Sequence, residues 1–168
     1  VPIILVIKFK EYSLNDIDAN KHKLILVNDR IELPGNLGTI IRSSMAFNID
    51  TIVVSPDTVD MYNSKVLRST EGMIFHINIV VRELSSFIEK IKEDGYVVYG
   101  TKVDGGVNVK DININNKYAL VIGNEGRGMS STISDLCDKY LYIKMNENCE
   151  SLNASVAASI LLYEINNK

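Results

Sequence analysis

Short runs rich in β-branched residues alternate with helical stretches along the chain, and this alternation limits its fold more than any other feature. Several runs are continuously apolar, as strands covered by helices on both faces are. We therefore predict an α/β fold in which a parallel sheet is flanked by helices. The predicted strands are residues 3–7, 24–27, 51–54, 76–80, 96–100, 118–122 and 140–144. The predicted helices are residues 37–47, 64–69, 84–94, 130–138 and 152–165.

Length and composition favour one soluble domain in a reducing compartment. The chain has 168 residues, and none of its apolar runs approaches the roughly 20 residues that span a bilayer. Its two cysteines, Cys137 and Cys149, make no disulfide framework, and with only two histidines they show no metal-ligand spacing. We expect a cytoplasmic protein with no membrane association and no metal site.

The charge balance argues against a chain that binds nucleic acid over its whole surface. The net charge is −3 at pH 7, whereas phosphate contacts require clustered lysine and arginine. A local basic rim or an additional domain is compatible with this balance. Residues 8–23 are polar and turn-like, so we interpret residues 1–23 as a linker or N-terminal extension and residues 24–168 as the folded domain.

Glycine and asparagine concentrate in three segments, each of which follows a predicted strand. The segments are PGNLG at residues 34–38, GNEGRG at residues 123–128, and the stretch from residue 146 to residue 153. Ligands of open α/β sheets bind beyond the carboxyl ends of the strands. We therefore expect the three segments to form one composite site.

The first segment has a structural interpretation as well as a functional one. Asn36 can cap the helix that follows it. Arg42 lies in an otherwise apolar or small setting, TIIRSS at residues 39–44. It is either an ordinary helix-surface residue or an arginine placed to meet an anion or a hydroxyl group.

The other segments and one further helix have structural interpretations too. GNEGRG lacks the spacing of dinucleotide folds, and a tight turn with Glu125 and Arg127 paired on its surface would explain it. Ser151 can cap the last helix. Ser85 or Ser86 can cap the helix at residues 84–94, which Gly95 can close.

The last predicted helix is apolar on nearly every side. Leu152, Val156 and Ile160 form one stripe, and Leu161 and Leu162 belong to the remainder. A helix that is apolar all round is buried on both sides. We expect it to pack on its own sheet and on a second subunit, with Leu161 and Leu162 in the subunit contact.

Together and in this order, the three segments resemble the signature motifs of the SpoU (TrmH-like) family of SPOUT methyltransferases. Motif one resembles PGNLGTIIR, motif two LVIGNEGRGMS, and motif three IKM followed by ESLNASVAA. SP at residues 55–56 and YNSKVLRS at residues 62–69 are also similar to the family. The chain departs from the pattern at Thr70, Glu71 and Gly72, where a small Ala-Gly-Ala run is usual. It departs again at Lys144, where proline is common.

The resemblance implies an α/β-knot fold, in which the C-terminal part of the chain passes through a loop to make a deep trefoil knot. It implies that S-adenosyl-L-methionine binds in the knot, and that the active site forms at a homodimer interface. The cofactor-binding residues implied by the resemblance are Thr101, Gly123, Asn124, Gly128, Ile143, Met145, Ser151 and Leu152. The implied catalytic residues are Arg42, Asn36, Glu125, Ser151 and Asn153.

The activity implied by the resemblance is methyl transfer to a ribose 2′-hydroxyl of RNA, with ribosomal RNA expected ahead of transfer RNA. Arg42 would assist deprotonation of the hydroxyl. A free guanidinium is a poor base because its pKa exceeds about 12. Arg42 would therefore need substrate phosphate and buried neighbours, or would stabilise the alkoxide electrostatically. An N-terminal RNA-binding domain, frequent in the family, would precede the linker.

Two other classes of function are open at this point. A non-catalytic knotted RNA-binding or assembly factor would keep the fold without turnover, and the five implied catalytic residues argue against it. A nucleotide-dependent oxidoreductase would need a phosphate-binding glycine fingerprint after the first strand, and the sequence carries none there.

Overall fold

The computed structural model of the chain describes residues 3, 6, 24–114 and 117–167. The predicted strand at residues 3–7 and the predicted linker at residues 1–23 lie outside the described residues, apart from Ile3 and Val6. The described residues form seven strands. They are β1 (Leu24–Asn28), β2 (Thr51–Val54), β3 (Asn78–Val81), β4 (Val97–Thr101), β5 (Val107–Asn108), β6 (Tyr118–Ile122) and β7 (Lys139–Tyr142).

All seven strands belong to one sheet, with the order β3-β2-β1-β6-β4-β7-β5. Every neighbouring pair is parallel, which confirms the predicted parallel α/β fold. The sequence prediction missed β5. Its two residues are too few to show a periodicity, and they pair with the end of β7, which is distant in sequence.

Within the described residues, four α-helices lie between strands and a fifth follows the last strand. They are α1 (Pro34–Ala46), α2 (Ser64–Thr70), α3 (Leu84–Glu93), α4 (Ser131–Leu136) and α5 (Ala154–Asn166). Short 3₁₀ helices lie at Met73–Phe75 and Val109–Asp111. Within the described part of the chain, none of the helices combines the length and apolarity needed to cross a membrane.

The sheet separates two apolar cores because successive side chains of a strand point to opposite faces. In β6, Tyr118, Leu120 and Ile122 face the core that also contains buried residues of α1 and α5. Ala119 and Val121 face the other core, with the apolar faces of α3 and α4. Burial on both faces explains why β6 is continuously apolar in sequence.

The predicted caps of α1 and α5 are wrong. α1 begins at Pro34, whose fixed φ suits the first helical turn, so Asn36 lies inside that turn rather than at its cap. α5 is capped by Asn153 and not by Ser151. The Asn153 side chain accepts hydrogen bonds from the backbone N–H groups of Ser155 at 2.9 Å and Val156 at 3.3 Å.

The prediction that Leu161 and Leu162 contact a second subunit is also wrong. Both side chains are buried within the chain itself, at 2% and 0% exposure, because this face of α5 packs on the sheet and on α1. The apolar side chains that α5 leaves exposed are Val156 and Tyr163, at 45% and 54%. A charged residue at Leu161 or Leu162 would therefore destabilise the core of the chain itself, rather than act on a contact with a second subunit.

The cap of α3 is a carboxylate rather than a serine hydroxyl. Glu83 accepts hydrogen bonds from the backbone N–H groups of Ser86 at 2.9 Å and Ser85 at 3.0 Å. These bonds favour the ionised carboxylate and lower the pKa of Glu83 from 4.5 to about 2. Gly95, with φ of +84°, follows the helix as predicted.

We expect the contribution of Glu83 to stability to depend on pH. A carboxylate with a lowered pKa in the folded state stabilises fully above its unfolded pKa near 4.5, and loses that effect as pH falls towards about 2. Glu83→Gln should therefore melt below the wild type at pH 6, and the gap should narrow between pH 4.5 and 2. Glu89→Gln, on the exposed side of the same helix, is the control. A gap that stays constant over this range would contradict the prediction.

Candidate functional site

A pocket of about 560 Å³ opens at the carboxyl ends of β4, β6 and β7. Its walls are the segments that follow these three strands and the beginning of α5. All eight residues predicted to bind the cofactor line it, namely Thr101, Gly123, Asn124, Gly128, Ile143, Met145, Ser151 and Leu152. The pocket thus brings together the second and third of the glycine- and asparagine-rich segments with the segment after β4, as expected for the carboxyl ends of parallel strands. No residue of the first segment, 34–38, lines it.

Sequence reasoning missed several residues that line the pocket. They include Lys102, Val103 and Asp104, together with Arg127, Tyr142 and Leu161. The first three directly follow β4, so the rule that ligands bind at the carboxyl ends of parallel strands could have identified them. Leu161 could not have been found in this way, because its position depends on how α5 packs.

The loop after β6 is a tight turn in which glycines permit close approach of the backbone. Asn124 and Gly128 exchange two backbone hydrogen bonds, of 3.0 Å and 2.9 Å. Gly128 has φ of +68°, a backbone conformation that residues with a Cβ rarely adopt. A Cβ on Gly123 would overlap the backbone of Gly128 and Met129. These glycines therefore set the shape of the pocket wall.

Polar side chains fix this turn to the segment after β1. The Asn124 amide donates to the carbonyl oxygen of Arg30 at 2.8 Å, and its oxygen accepts from the backbone N–H of Gly126 at 3.0 Å. At the other end of the loop, the buried Asp29 carboxylate accepts from Ser130, at 2.6 Å from the backbone N–H and 2.9 Å from the hydroxyl. The loop is held at both ends before any ligand binds.

The Glu125 carboxylate joins the turn to α1. One oxygen accepts from the Asn36 amide at 2.8 Å and from the backbone N–H of Leu33 at 3.0 Å, and the other accepts from the backbone N–H of Glu32 at 3.2 Å. Glu125 therefore binds the two residues that precede α1 from a distant part of the chain, near the helix N-terminus, where an anion is favoured. This arrangement replaces the Glu125–Arg127 pairing considered above.

Asn36 extends the connection to α5. Its side-chain oxygen accepts a hydrogen bond from the Asn153 amide at 3.0 Å. Glu125, Asn36 and Asn153, one from each glycine- and asparagine-rich segment, thus form a continuous chain of hydrogen bonds. Ser151 lines the pocket nearby but does not take part in this chain.

Hydrogen bonding keeps Glu125 ionised. Burial by itself raises the pKa of this carboxyl, but the hydrogen bonds from Asn36, Leu33 and Glu32 stabilise the charged form. The net effect is a pKa below its usual value. Glu125 is therefore an acceptor that organises its neighbours.

Arg42 lies apart from the pocket of its own chain. It is on the exposed side of α1, where its Nη1 donates to Glu71 Oε1 at 3.1 Å. Half of its side chain is exposed to solvent. Of the five predicted catalytic residues, Glu125 and Ser151 line the pocket and Asn36 and Asn153 are linked to it, whereas Arg42 is not.

The described residues contain no group of three or more His, Cys, Asp or Glu side chains arranged to hold a metal ion. In the same part of the chain, Cys137 and Cys149 are free thiols. Burial, with the nearby Asp138 carboxylate, raises the pKa of Cys137 to about 11, so its thiol is protonated at neutral pH.

Comparison with known sequences gives one family and several similar proteins. The sequence model of the SpoU rRNA Methylase family matches residues 23–163. A Bacillus subtilis protein, 23S rRNA (guanosine(2553)-2′-O)-methyltransferase RlmP, is 40% identical over 147 residues. That match covers 88% of this chain and 59% of the Bacillus protein. The chain therefore spans less than two thirds of the length of this relative.

Solved structures of similar sequence have the same fold. The SpoU methyltransferase AviRb from Streptomyces viridochromogenes, in complex with the cofactor AdoMet, superposes with a TM-score of 0.78 and 33% identity. The match covers 85% of this chain and 57% of AviRb. An AdoMet-bound rRNA methyltransferase from Sinorhizobium meliloti gives a TM-score of 0.85 at 29% identity, covering 92% and 60% of the two chains.

We expect the loop after β6 to be intolerant of a side chain at Gly123. The Cβ of Gly123→Ala meets backbone atoms, which cannot rotate away, so the loop must shift. Overpacking of this kind costs about 1–3 kcal/mol, and should lower the melting temperature by about 2 °C or more. Gly126→Ala is the matched control, since its Cβ meets only Asn124 Oδ1 at 3.9 Å. Equal melting temperatures for both variants would contradict the prediction.

Proposed function

The chain belongs to the SpoU rRNA methylase family, and on this basis we propose that it is the methyltransferase part of an S-adenosyl-L-methionine-dependent enzyme that methylates a ribose 2′-hydroxyl of RNA. The observation that carries the proposal is the hydrogen-bonded chain of Glu125, Asn36 and Asn153 beside the pocket. It joins all three motifs at one edge of the sheet.

The pocket fits the proposed cofactor in size and lining. Its volume of about 560 Å³ lies within the range of about 300–1,000 Å³ of small-molecule sites. Ile143, Leu152 and Leu161 supply apolar walls for a purine ring, and the loop after β6 offers a glycine-lined backbone. The AviRb structure, which contains AdoMet, has the same fold and supports this assignment.

The chemistry requires orientation of a hydroxyl group and stabilisation of its developing charge. When bound, S-adenosyl-L-methionine would supply an electrophilic methyl group. Its transfer to the ribose 2′-oxygen would form a C–O bond and break the C–S bond, leaving S-adenosylhomocysteine, while the hydroxyl proton would pass to water. We assign charge stabilisation to Arg42, whose guanidinium donates hydrogen bonds and is a poor base. Glu125, Asn36 and Asn153 hold the surrounding loops through their hydrogen bonds, and Ser151 lines the pocket beside them.

The position of Arg42 supports an active site shared by two subunits. Arg42 lies outside the pocket of its own chain, on the exposed side of α1, where it pairs with Glu71 after α2. The helix α1 itself also packs against α5. Val156 and Tyr163 are exposed on α5, and Tyr163 packs edge-on against Phe47 just after α1. We propose a homodimer through this α1–α5 surface, in which Arg42 of the partner subunit completes the site.

The threading implied by the resemblance is part of the same proposal. β7 pairs between β4 and β5, so the chain enters the sheet between strands formed earlier in the sequence. α5 then packs against both α1 and the short helix Val109–Asp111. Such a path supports a trefoil knot around the pocket, an exception to the rule that protein chains do not thread loops.

Ribosomal RNA is the substrate that we propose ahead of transfer RNA, because the Bacillus relative is named as a 23S rRNA enzyme. We further propose that residues 24–168 are the methyltransferase unit and residues 1–23 a linker to an RNA-binding domain. The length of the relatives beyond the matched part is compatible with such a domain. An RNA substrate is also consistent with the cytoplasmic location expected from the sequence.

Loss of Arg42 should separate chemistry from cofactor binding. In the full-length protein with its RNA, Arg42→Ala should reduce methyl transfer by about 100-fold or more, on the scale of losing one charge-stabilising donor. Cofactor affinity measured by calorimetry should stay within about twofold, since Arg42 lies outside the pocket. Arg42→Lys should be similarly impaired, because an ammonium lacks the planar fork of donors.

The product identifies the reaction, and a second arginine provides the control. A 2′-O-methylated nucleotide resists alkaline cleavage at its linkage, whereas a methylated base does not. Arg68→Ala removes another exposed arginine, on α2, and should keep near wild-type activity. Methylation of a base, or full activity of Arg42→Ala at saturating RNA, would refute the assignment.

A charge on the exposed face of α5 should dissociate the dimer. Val156→Asp places a carboxylate in the proposed apolar contact, where burial without a partner is costly. Sedimentation at micromolar concentration should show a dimer for the wild type and a monomer for this variant. Val81→Asp is the matched control, because Val81 is 43% exposed, close to the 45% of Val156, but lies on the distant edge strand β3. A monomeric wild type would contradict the proposal.

A further inference from the structure

Glu71, which pairs with Arg42, has an unusual backbone conformation. It follows the last residue of α2 with φ of +47° and ψ of +40°, in the left-handed region. Residues with a Cβ are strained there, and glycine is the residue that usually ends a helix in this way. The next residue, Gly72, is also left-handed, with φ of +85°. The chain therefore places a glutamate where a glycine would be unstrained.

The ion pair with Arg42 does not compensate for this strain in the isolated chain. The two side chains are 50% and 68% exposed, and exposed ion pairs contribute little to stability. A left-handed conformation at a residue with a Cβ costs more than such a pair returns. Strained residues that persist without a gain in stability are concentrated at functional sites.

The packing of α2 on α1 fixes where Glu71 can reach. The two helices meet closely at Gly38, where a Cβ would overlap the side chain of Ser69. Ser69 lies two residues before Glu71, so the backbone of Glu71 is held close to α1, within reach of Arg42. Its contact with Arg42 is a hydrogen bond of 3.1 Å that uses Nη1. The guanidinium still offers Nε and Nη2 as donors on its other edge.

We propose that Glu71 is a positioning residue for methyl transfer, which orients the guanidinium of Arg42 towards the ribose hydroxyl and the adjacent phosphate. The proposal rests on the proposed function, since it acts through the role given to Arg42. An arginine on an exposed helix face has several accessible rotamers. Anchoring Nη1 to a carboxylate favours the rotamers that leave the second edge of the guanidinium for the substrate.

Substitution by glycine separates this role from a structural one. In the full-length protein with its RNA, we would measure kcat, the KM for RNA, the Kd for S-adenosyl-L-methionine and the melting temperature. Glu71→Gly relieves the left-handed strain and removes the carboxylate. The expected result is an unchanged or higher melting temperature with kcat reduced tenfold or more. The KM for RNA and the Kd for the cofactor should stay within twofold of the wild type.

Two further variants complete the experiment. Glu71→Gln keeps an acceptor oxygen at the same reach, and its kcat should recover to within threefold of the wild type. Asn48→Gly relieves the same kind of strain, since Asn48 has φ of +58°, in the turn after α1. Its melting temperature should be unchanged or higher, and its kcat should equal that of the wild type.

Several results would overturn the proposal. The first is a kcat of Glu71→Gly that is within twofold of the wild type or above it. The second is a lowered melting temperature of Glu71→Gly. The third is a kcat of Glu71→Gln that is as low as that of Glu71→Gly. A kcat of Glu71→Gly above the wild type would indicate that the contact between Glu71 and Arg42 is inhibitory. A lowered melting temperature would indicate that the contact is structural. Failure of the proposed function is a separate result, in which the wild-type protein itself transfers no methyl group to RNA.

Discussion

The Glu125 carboxylate makes the interaction on which the arrangement of the site depends. It belongs to the loop after β6, yet it accepts hydrogen bonds from two backbone N–H groups at the start of α1 and from Asn36. Asn36 then accepts from Asn153 at the start of α5. A partly buried anion near the N-terminus of a helix is favourable, and here its hydrogen bonds also connect three loops. The pocket has the shape that these connections allow.

Small residues make this arrangement sterically possible. At Gly123 the chain backbone of the same loop lies where a Cβ would be, and at Gly38 the side chain of Ser69 does. The first contact closes the pocket wall, and the second brings α2 close enough for Glu71 to meet Arg42. Both glycines are needed for a close approach of neighbouring atoms rather than for a special backbone angle, since neither has a positive φ. These two glycines therefore shape the pocket wall and the surroundings of Arg42, which lies outside the pocket.

Much of the fold could be predicted from the sequence, and the errors have identifiable causes. The strands at Thr51–Val54 and Tyr118–Ile122 were predicted with their observed limits, because continuous burial leaves an apolar run. Helix caps were predicted less well. A local rule favoured Ser151 and Asn36, whereas Asn153 caps α5 and Asn36 bonds to residues about 90 and 117 positions away. Long-range hydrogen bonds leave no local pattern.

By itself, the sequence determined the parallel α/β class, the three loops at one edge of the sheet and the family, since these depend on apolar periodicity and short motifs. It could not assign the two faces of α5, because Leu161, Leu162, Val156 and Tyr163 are all compatible with burial. Only tertiary structure decided that the leucines face the core while Val156 and Tyr163 face outward. It also decided that Arg42 lies outside the pocket and meets Glu71. The packing of whole helices against the sheet fixes these positions, and no short stretch of residues encodes that packing.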